Sequence, residues 1–292
     1  MEKDWILVDT PKKVKRAIDN FEKTKILSID TEYDSFRYFR EILCLIQIHA
    51  DETTYIFDPL GKLNLSFLGK FFNDEKIVKI LHAADNDIRL LKRDYQFDFQ
   101  NIFDTHRAAM ILGFRQLSLD KMIKEFLGVE LEKSKKMQRS RWDKRPLTDD
   151  QFLYAMQDVT FLPALYEEQL RQLRVKGMEE TARDAFAKIA TATWQEKIID
   201  RRGHTKIAGY YSLNQEQKDL LKKLYAWRFR QAKTKNCAIF MFLPDKNLLE
   251  LTQDYNNLQE YLSQEKVKLY GAEIQQIIKE HLKKSLPLQT HI

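Results

Sequence analysis

The chain has 292 residues, 43% of them hydrophobic and 12% aromatic, with only 8 Gly and 6 Pro. That length fits two modest domains, and the composition excludes a disordered chain and a turn-rich all-β protein. The net charge of +6 is local: residues 190–292 carry 17 Lys and Arg against 11 Asp and Glu, leaving 32 of each sign before them. A polyanionic partner explains such an excess, and so does a lysine-rich helical surface kept for solubility.

No apolar run approaches the roughly 18–20 residues of a membrane span. The opening stretch MEKDWILVDTPKKVKR lacks the basic-then-apolar layout of a signal peptide. Cys44 and Cys237 are the two cysteines, far apart in apolar surroundings. They are expected as reduced core residues of a cytoplasmic protein with no membrane partner. No Cys/His cluster has zinc-ligand spacing.

In chain order, residues 10–21 predict a short helix, with Thr10 as cap, Pro11 at its first position and a Val14/Ile18/Phe21 stripe. Strand candidates follow at 25–30, 43–48 and 53–58, close enough for an antiparallel meander. Residues 68–72 predict a helix and 77–81 another strand. Helices are expected at 85–94, at about 105–112, and at 118–127 with Ser118 as cap and Gly128 as a left-handed end. Strands first, then strands separated by helices, indicate an α/β domain with a mixed sheet. Residues 133–145 break the rhythm, with Lys133, Lys135, Lys136, Arg139, Arg141, Lys144 and Arg145 against Asp143, and are expected as a basic loop. Thr148 and Gln151 then form a capping box for a helix that Pro163 kinks or restarts. A connecting helix over 178–200, a linker-like break over 201–211 and a compact helical unit from Leu213 complete the chain. Asn214 caps the first helix of that unit, which carries Leu220, Leu221, Leu224 and Trp227.

Acidic residues carry the chemistry. Asp30 and Glu32 end a strand, and residues two apart on a strand share a face. Tyr154 and Asp158 are four apart on one face of a mostly apolar helix. Asp87 follows the strand at 77–81; its neighbour Asp85 is expected to cap the next helix, leaving Asp87 to face the sheet. Each acid has a plainer explanation, as a turn residue or as an arginine's partner. Gathered together they repel and raise each other's pKa, a penalty that divalent cations reverse. Hard oxygen ligands suit Mg²⁺ or Mn²⁺, not zinc. Two such ions about 4 Å apart can activate water on one side of a phosphodiester and stabilise the leaving oxygen on the other. Tyr154, with an ordinary pKa of about 10, is better suited to orienting that water than to deprotonating it.

The segments IDTE (29–32), LCLIQI (43–48), LHAADND (81–87), RPLTDDQ (145–151) and YAMQD (154–158) resemble, in order, the exonuclease motifs of the ribonuclease D family. These are Asp-Glu-Asp-Asp exonucleases of the branch with a tyrosine in the last motif. Asp30 and Glu32 fall on the first motif, Asp87 on the second, Tyr154 and Asp158 on the third. The resemblance implies a ribonuclease H-like sheet, two divalent metals and stepwise 3′→5′ hydrolysis releasing 5′-mononucleotides. It implies Asp30, Glu32 and Asp158 on one ion, with Asp30 facing the second and Asp87 acting on the second partly through water. Residues 213–236, 240–251 and 273–284 resemble the HRDC domain, an all-α helical bundle that often binds nucleic acid.

The expected organisation is an exonuclease domain over 1–175, a connecting helix and linker over 176–211, and an HRDC-like unit over 212–286. Two departures leave the ligand set intact: a single HRDC-like unit, and residues 34–42 without the family's tyrosine-proline. The expected partner is single-stranded RNA or an RNA 3′ end, in processing, including that of tRNA, or in degradation. DNA is the alternative substrate, and a non-catalytic nucleic-acid-binding protein is the alternative of another class. No protein partner is inferable. Candidate contacts to nucleic acid are Gln47, His82, Lys136, Arg139, Arg141, Arg145, Arg228 and Lys233, with a solvated surface or a satisfied core group as the alternative for each. Trp227 and the leucines around it are expected to be core.

Overall fold

The structure is a computed structural model that describes residues 5–131 and 135–285, the side chains of 135, 136, 284 and 285 excepted. It divides into two compact units, Met1–Asp34 with Ile42–Gln195, and Ser35–Glu41 with Glu196–Ile292.

The first unit contains a six-stranded mixed sheet of order β1-β4-β3-β2-β5-β6. Its strands are β1 (Trp5–Val8), β2 (Ile26–Asp34), β3 (Ile42–Ala50), β4 (Thr53–Phe57), β5 (Val78–Leu81) and β6 (Ile102–Asp104). The expected meander is there: β2 with β3 and β3 with β4 are antiparallel. The pairs β1/β4, β2/β5 and β5/β6 are parallel. Two strands escaped the sequence analysis, β1 and β6, of four and three residues. Runs that short carry no usable periodicity, and only pairing with β4 and β5 makes them strands.

Helices α1 (Pro11–Phe21), α2 (Leu68–Phe72), α3 (Asp85–Tyr95), α4 (Thr105–Leu112), α5 (Leu119–Leu127), α6 (Lys135–Gln138), α7 (Asp149–Thr160), α8 (Leu162–Val175) and α9 (Glu179–Ala190) accompany the sheet. Local signals set their ends. Thr10 accepts a hydrogen bond from the Lys13 amide at 3.4 Å, and Pro11 supplies the first helical residue. Gly113 and Gly128 end α4 and α5 at φ 93° and 70°, where a side chain would be strained. Phe161 breaks the helical run, and Pro163 lies in the first turn of the restarted helix.

One face of the sheet packs Leu27, Ile29, Ile46 and Ile48 against Phe21, Phe71, Phe72 and Ile88. Around Ile80 and Phe103 a second cluster gathers Ala108, Met122, Val159 and Leu165. A third, Cys44, Leu45, Ile56, Trp142, Phe152 and Ala155, lies where α7 covers β2 and β3. Burial pushes the Cys44 thiol up to about 12, which keeps it an unreactive core group.

The connecting helix expected over 178–200 ends at Ala190. Residues beyond it run without helix, tied to α3 by the Lys92 ammonium on the Ala190 carbonyl and by Arg93 over the Trp194 ring at 5.3 Å. The expected basic loop contains the helical turn α6.

The second unit holds α10 (Gln215–Thr234), α11 (Ile239–Phe242), α12 (Asp245–Gln253), α13 (Leu258–Tyr261) and α14 (Gln264–Ser285), after two 3₁₀ turns at Gly203–Lys206 and Tyr210–Ser212. Asn214 and Gln217 form a capping box on α10. Trp227 is fully buried among Leu220, Leu224, Leu248, Leu251 and Ile274, as expected of a core residue. Phe39, from the segment between β2 and β3, is part of this same core.

The α7 capping box fixes where the last acidic motif starts: Thr148 receives the Gln151 amide at 3.2 Å, and Gln151 receives the Thr148 amide at 3.0 Å. Thr148→Ala removes the cap and is expected to cost about 1 kcal/mol. Urea unfolding of the two proteins measures it, and an unchanged midpoint would show that packing alone sets the start of α7.

Candidate active site

Asp30, Glu32 and Asp158 converge: one carboxylate oxygen from each lies within 4.8 Å of the others. Strand alternation brings Asp30 and Glu32 to one side of β2. Across the antiparallel ladder they stand opposite Gln47 and Leu45, and a register shift follows Glu32. Helix α7 packs on β2 and β3 and delivers Asp158 from above. Glu32 and Asp158 are 9% and 7% exposed, and Asp30 is half-buried.

Three carboxylates this close and this dry repel strongly. Every donor is a hard oxygen, on an interior strand and a capped helix that cannot readily spread. The set fits a magnesium or manganese ion, which would be held by Asp30, Glu32 and Asp158.

Tyr154 lies one helical turn before Asp158, its ring 6.0 Å from that of Trp142. Burial pushes its phenol well above the ordinary range, and the carboxylates of Asp158, Glu32 and Asp30 push it further. A bound cation would offset the second contribution but not the first. Both causes favour the protonated phenol over the phenolate.

Asp87 is not a member of this triad. It is buried in the first turn of α3, where its carboxylate receives the Thr31 hydroxyl. Thr31 sits between Asp30 and Glu32, so its side chain alternates to the other side of the strand. Asp87 is thus attached directly to the strand that carries the first two acids. Burial raises the Asp87 carboxyl pKa; the Thr31 hydroxyl opposes that, and nearby Asp104 adds to it.

Asp104 was not foreseen. It is fully buried, caps α4 through the Arg107 amide at 2.8 Å, and receives the Ala84 amide at 2.7 Å. It thereby anchors the turn that launches α3, in which Ala83 has φ 59°. The Asp104-Thr105 step ahead of a helix is a capping signal that could have revealed it. Asp85, expected as a cap, makes no capping bond and instead pairs with Arg107 at 3.1 Å. The Ala84 amide near it is already taken by Asp104.

The candidate nucleic-acid contacts fare differently. Gln47 is fully buried in mid-strand, opposite Asp30 on the β2/β3 ladder. His82 follows β5, half-buried, with Nδ1 2.8 Å from the Thr105 hydroxyl. Arg145 is structural: it clamps Asp58 with two bonds of 2.6 Å and reaches the Cys44 and Trp142 carbonyls at 2.7 Å. Arg141 is engaged by Asp143 at 2.7 and 2.8 Å. Arg228 is 3% exposed, bonded to the Leu243 carbonyl at 2.8 Å and to Asp245 at 2.7 Å, and belongs to the helical core. Lys233 pairs with Glu196 at 2.5 Å. Arg139 is exposed. Lys133 and the side chains of Lys135 and Lys136 lie outside the described residues.

The raised Asp87 pKa has a stability consequence. The folded state holds this proton to higher pH than the unfolded chain, so stability is full below the ordinary value of 3.8 and falls as pH rises through the raised one. With metal removed by EDTA, Asp87→Asn should stabilise the protein more at about pH 8 than at about pH 5. Denaturant midpoints at both values decide it; an equal gain at both would overturn the burial account.

The comparisons with known proteins agree with this geometry. A family model for a 3′-5′ exonuclease domain matches residues 5–174, and an HRDC domain model matches residues 217–278. The chain is 30% identical over 259 residues to the exosome complex component 10 homolog of Drosophila melanogaster, covering 86% of this chain and 29% of that protein. It is 29% identical over 258 residues to ribonuclease D of Gluconacetobacter diazotrophicus, covering 85% and 63%. Both relatives extend well beyond the matched region. The crystal structure of the catalytic core of RRP6 from Trypanosoma brucei shares the fold with a TM-score of 0.88 at 22% identity, over 97% of this chain and 80% of that one. The mixed sheet is thus the ribonuclease H-like sheet that the motifs implied, with a helical HRDC region after it. The convergent acids and the matched domain together place the chain in the 3′-5′ exonuclease family.

Proposed function

We propose that the protein is a 3′→5′ exoribonuclease that shortens RNA one nucleotide at a time and releases 5′-mononucleotides. The observation that carries this is the triad of Asp30, Glu32 and Asp158 with oxygens within 4.8 Å, and Tyr154 one turn away. RNA is favoured over DNA because relatives carry the name ribonuclease D. Processing of tRNA 3′ ends is one substrate class compatible with that reading.

Asp30, Glu32 and Asp158 would hold one divalent ion, and Asp87, steadied by Thr31, would serve a second. When bound, such a pair supplies an activated water and charge neutralisation at the scissile phosphate. The protein's own contribution is positional. The β2 strand fixes Asp30 and Glu32, and the capped helix α7 fixes Asp158 and Tyr154 on one face. The protonated Tyr154 hydroxyl donates to an oxygen at the reacting phosphate or to the attacking water, and so orients it. The positive charge of the second unit adds salt-dependent affinity for the phosphate backbone.

A 5′-labelled single-stranded RNA and its DNA counterpart, each with Mg²⁺, Mn²⁺ or EDTA, test the proposal. A metal-dependent ladder shortening from the 3′ end, stronger on RNA, is expected. Asp158→Asn should lower the rate by roughly 100-fold or more while leaving RNA binding in place. Equal cleavage of both polymers would make the protein a general 3′→5′ nuclease. Full activity in Asp158→Asn would dismiss the assigned site.

A further inference from the structure

The second unit exposes a pair of aromatic rings that no core requirement explains. Phe36 and Phe240 are 61% and 48% exposed, with ring centroids 5.1 Å apart at an interplanar angle of 57°. They flank a cleft of about 240 Å³, lined also by Tyr38, Phe39, Ile239 and Lys197. Cations accompany the rings. The Arg37 guanidinium is 5.7 Å from the Phe36 centroid. The Lys197 ammonium is 5.9 Å from the Phe39 centroid and 3.8 Å from Glu41.

The rings are held in place. The Ala238 amide donates to the Arg37 carbonyl at 2.9 Å, and the Arg40 amide donates to the Asn236 side chain at 2.7 Å. Phe39 anchors the segment by packing edge-on against Phe229, with centroids 5.0 Å apart. Exposing two large apolar rings on a rigid support costs solvation free energy, which a ligand with a flat π-face would recover.

We infer that the Phe36–Phe240 cleft is a stacking subsite for one unpaired base of a single-stranded nucleic acid, with Arg37 beside it for the adjoining phosphate. The inference rests on the nucleic-acid reading above and adds a contact outside the acid cluster. Its chemistry is that of single-strand binding in general: an aromatic face for the base and a cation for the backbone. The cleft is smaller than the roughly 300–1,000 Å³ of a typical small-molecule pocket, so it suits one ring system rather than a whole cofactor. A stable protein interface needs roughly 1,000 Å² of well-packed surface. The exposed large apolar residues here are Phe36, Phe240 and the neighbouring Met241, which is too little for one. The segment also begins directly after Asp34, the last residue of the strand that carries Asp30 and Glu32.

The test is binding of a fluorescein-labelled single-stranded oligoribonucleotide to the full chain in EDTA, which blocks hydrolysis. F36A and F240A are expected to weaken binding about tenfold each, the size of one lost base stack. F36Y, which keeps a ring, should bind like wild type. F36L, which keeps apolar bulk without a π-face, should bind like F36A. A single 2-aminopurine moved along the strand should be quenched by wild type at one position and recover its emission with F36A. Both residues are exposed, so circular dichroism of the variants should be unchanged. If wild type binds RNA and F36A and F240A bind it equally well, the inference is overturned while the function stands. The same follows if F36L behaves as wild type, or if F36A alters only self-association in solution. If wild type binds no single strand, the proposed function falls, and this inference with it.

Discussion

Everything in the first unit is arranged around one unfavourable interaction: three carboxylates held within 4.8 Å of one another in a largely dry setting. Left to themselves Asp30, Glu32 and Asp158 would move apart. The ladder of β2 and β3 prevents the first two from moving apart. Helix α7, fixed at its start by the Thr148–Gln151 box and packed through Phe152 and Ala155, prevents the third from withdrawing. Neighbouring packing thus holds the three acids together, in an arrangement that fits a divalent cation. Asp87 follows the same logic at one remove, since its burial is tolerable chiefly through the Thr31 hydroxyl on the same strand.

The basic residues show how little a charge count says about partners. Between Arg139 and Arg145 the sequence reads as a grip for phosphate. Yet Arg145 spends its guanidinium on Asp58 and two carbonyls, and Arg141 is matched to Asp143. These contacts tie the approach to α7 against β3 and the end of β4, so the segment serves that helix as scaffold. In the second unit Arg228 and Lys233 are engaged by Asp245 and Glu196. An arginine with a buried carbonyl and a carboxylate already in reach has little reason to exchange them for a phosphate.

The segment between β2 and β3 belongs with the helical unit although the chain places it inside the sheet domain. Phe39 enters the helical core, and Phe36 faces outward. A stretch of seven residues thereby joins the strand of Asp30 and Glu32 covalently to the second unit. This is also the stretch where the family's tyrosine-proline is replaced.

Sequence alone determined the ingredients that obey short-range rules. The strand at Asp30 and Glu32 followed from alternation, the Thr148 and Asn214 caps from local hydrogen bonding, and Tyr154 with Asp158 from helical spacing. The motif order carried the family and the ribonuclease H-like sheet. Tertiary structure decided what depends on partners distant in the chain. Strands β1 and β6 exist only through their neighbours, the helix after Met178 stops at Ala190, and Asp104 displaces Asp85 as the group that anchors the α3 turn. Gln47 and Arg228 illustrate the same limit. Polarity marks them for the surface in a linear reading, while a central strand and a helical core enclose them. Local pattern fixes which face a side chain takes; only the folded chain fixes what stands on that face.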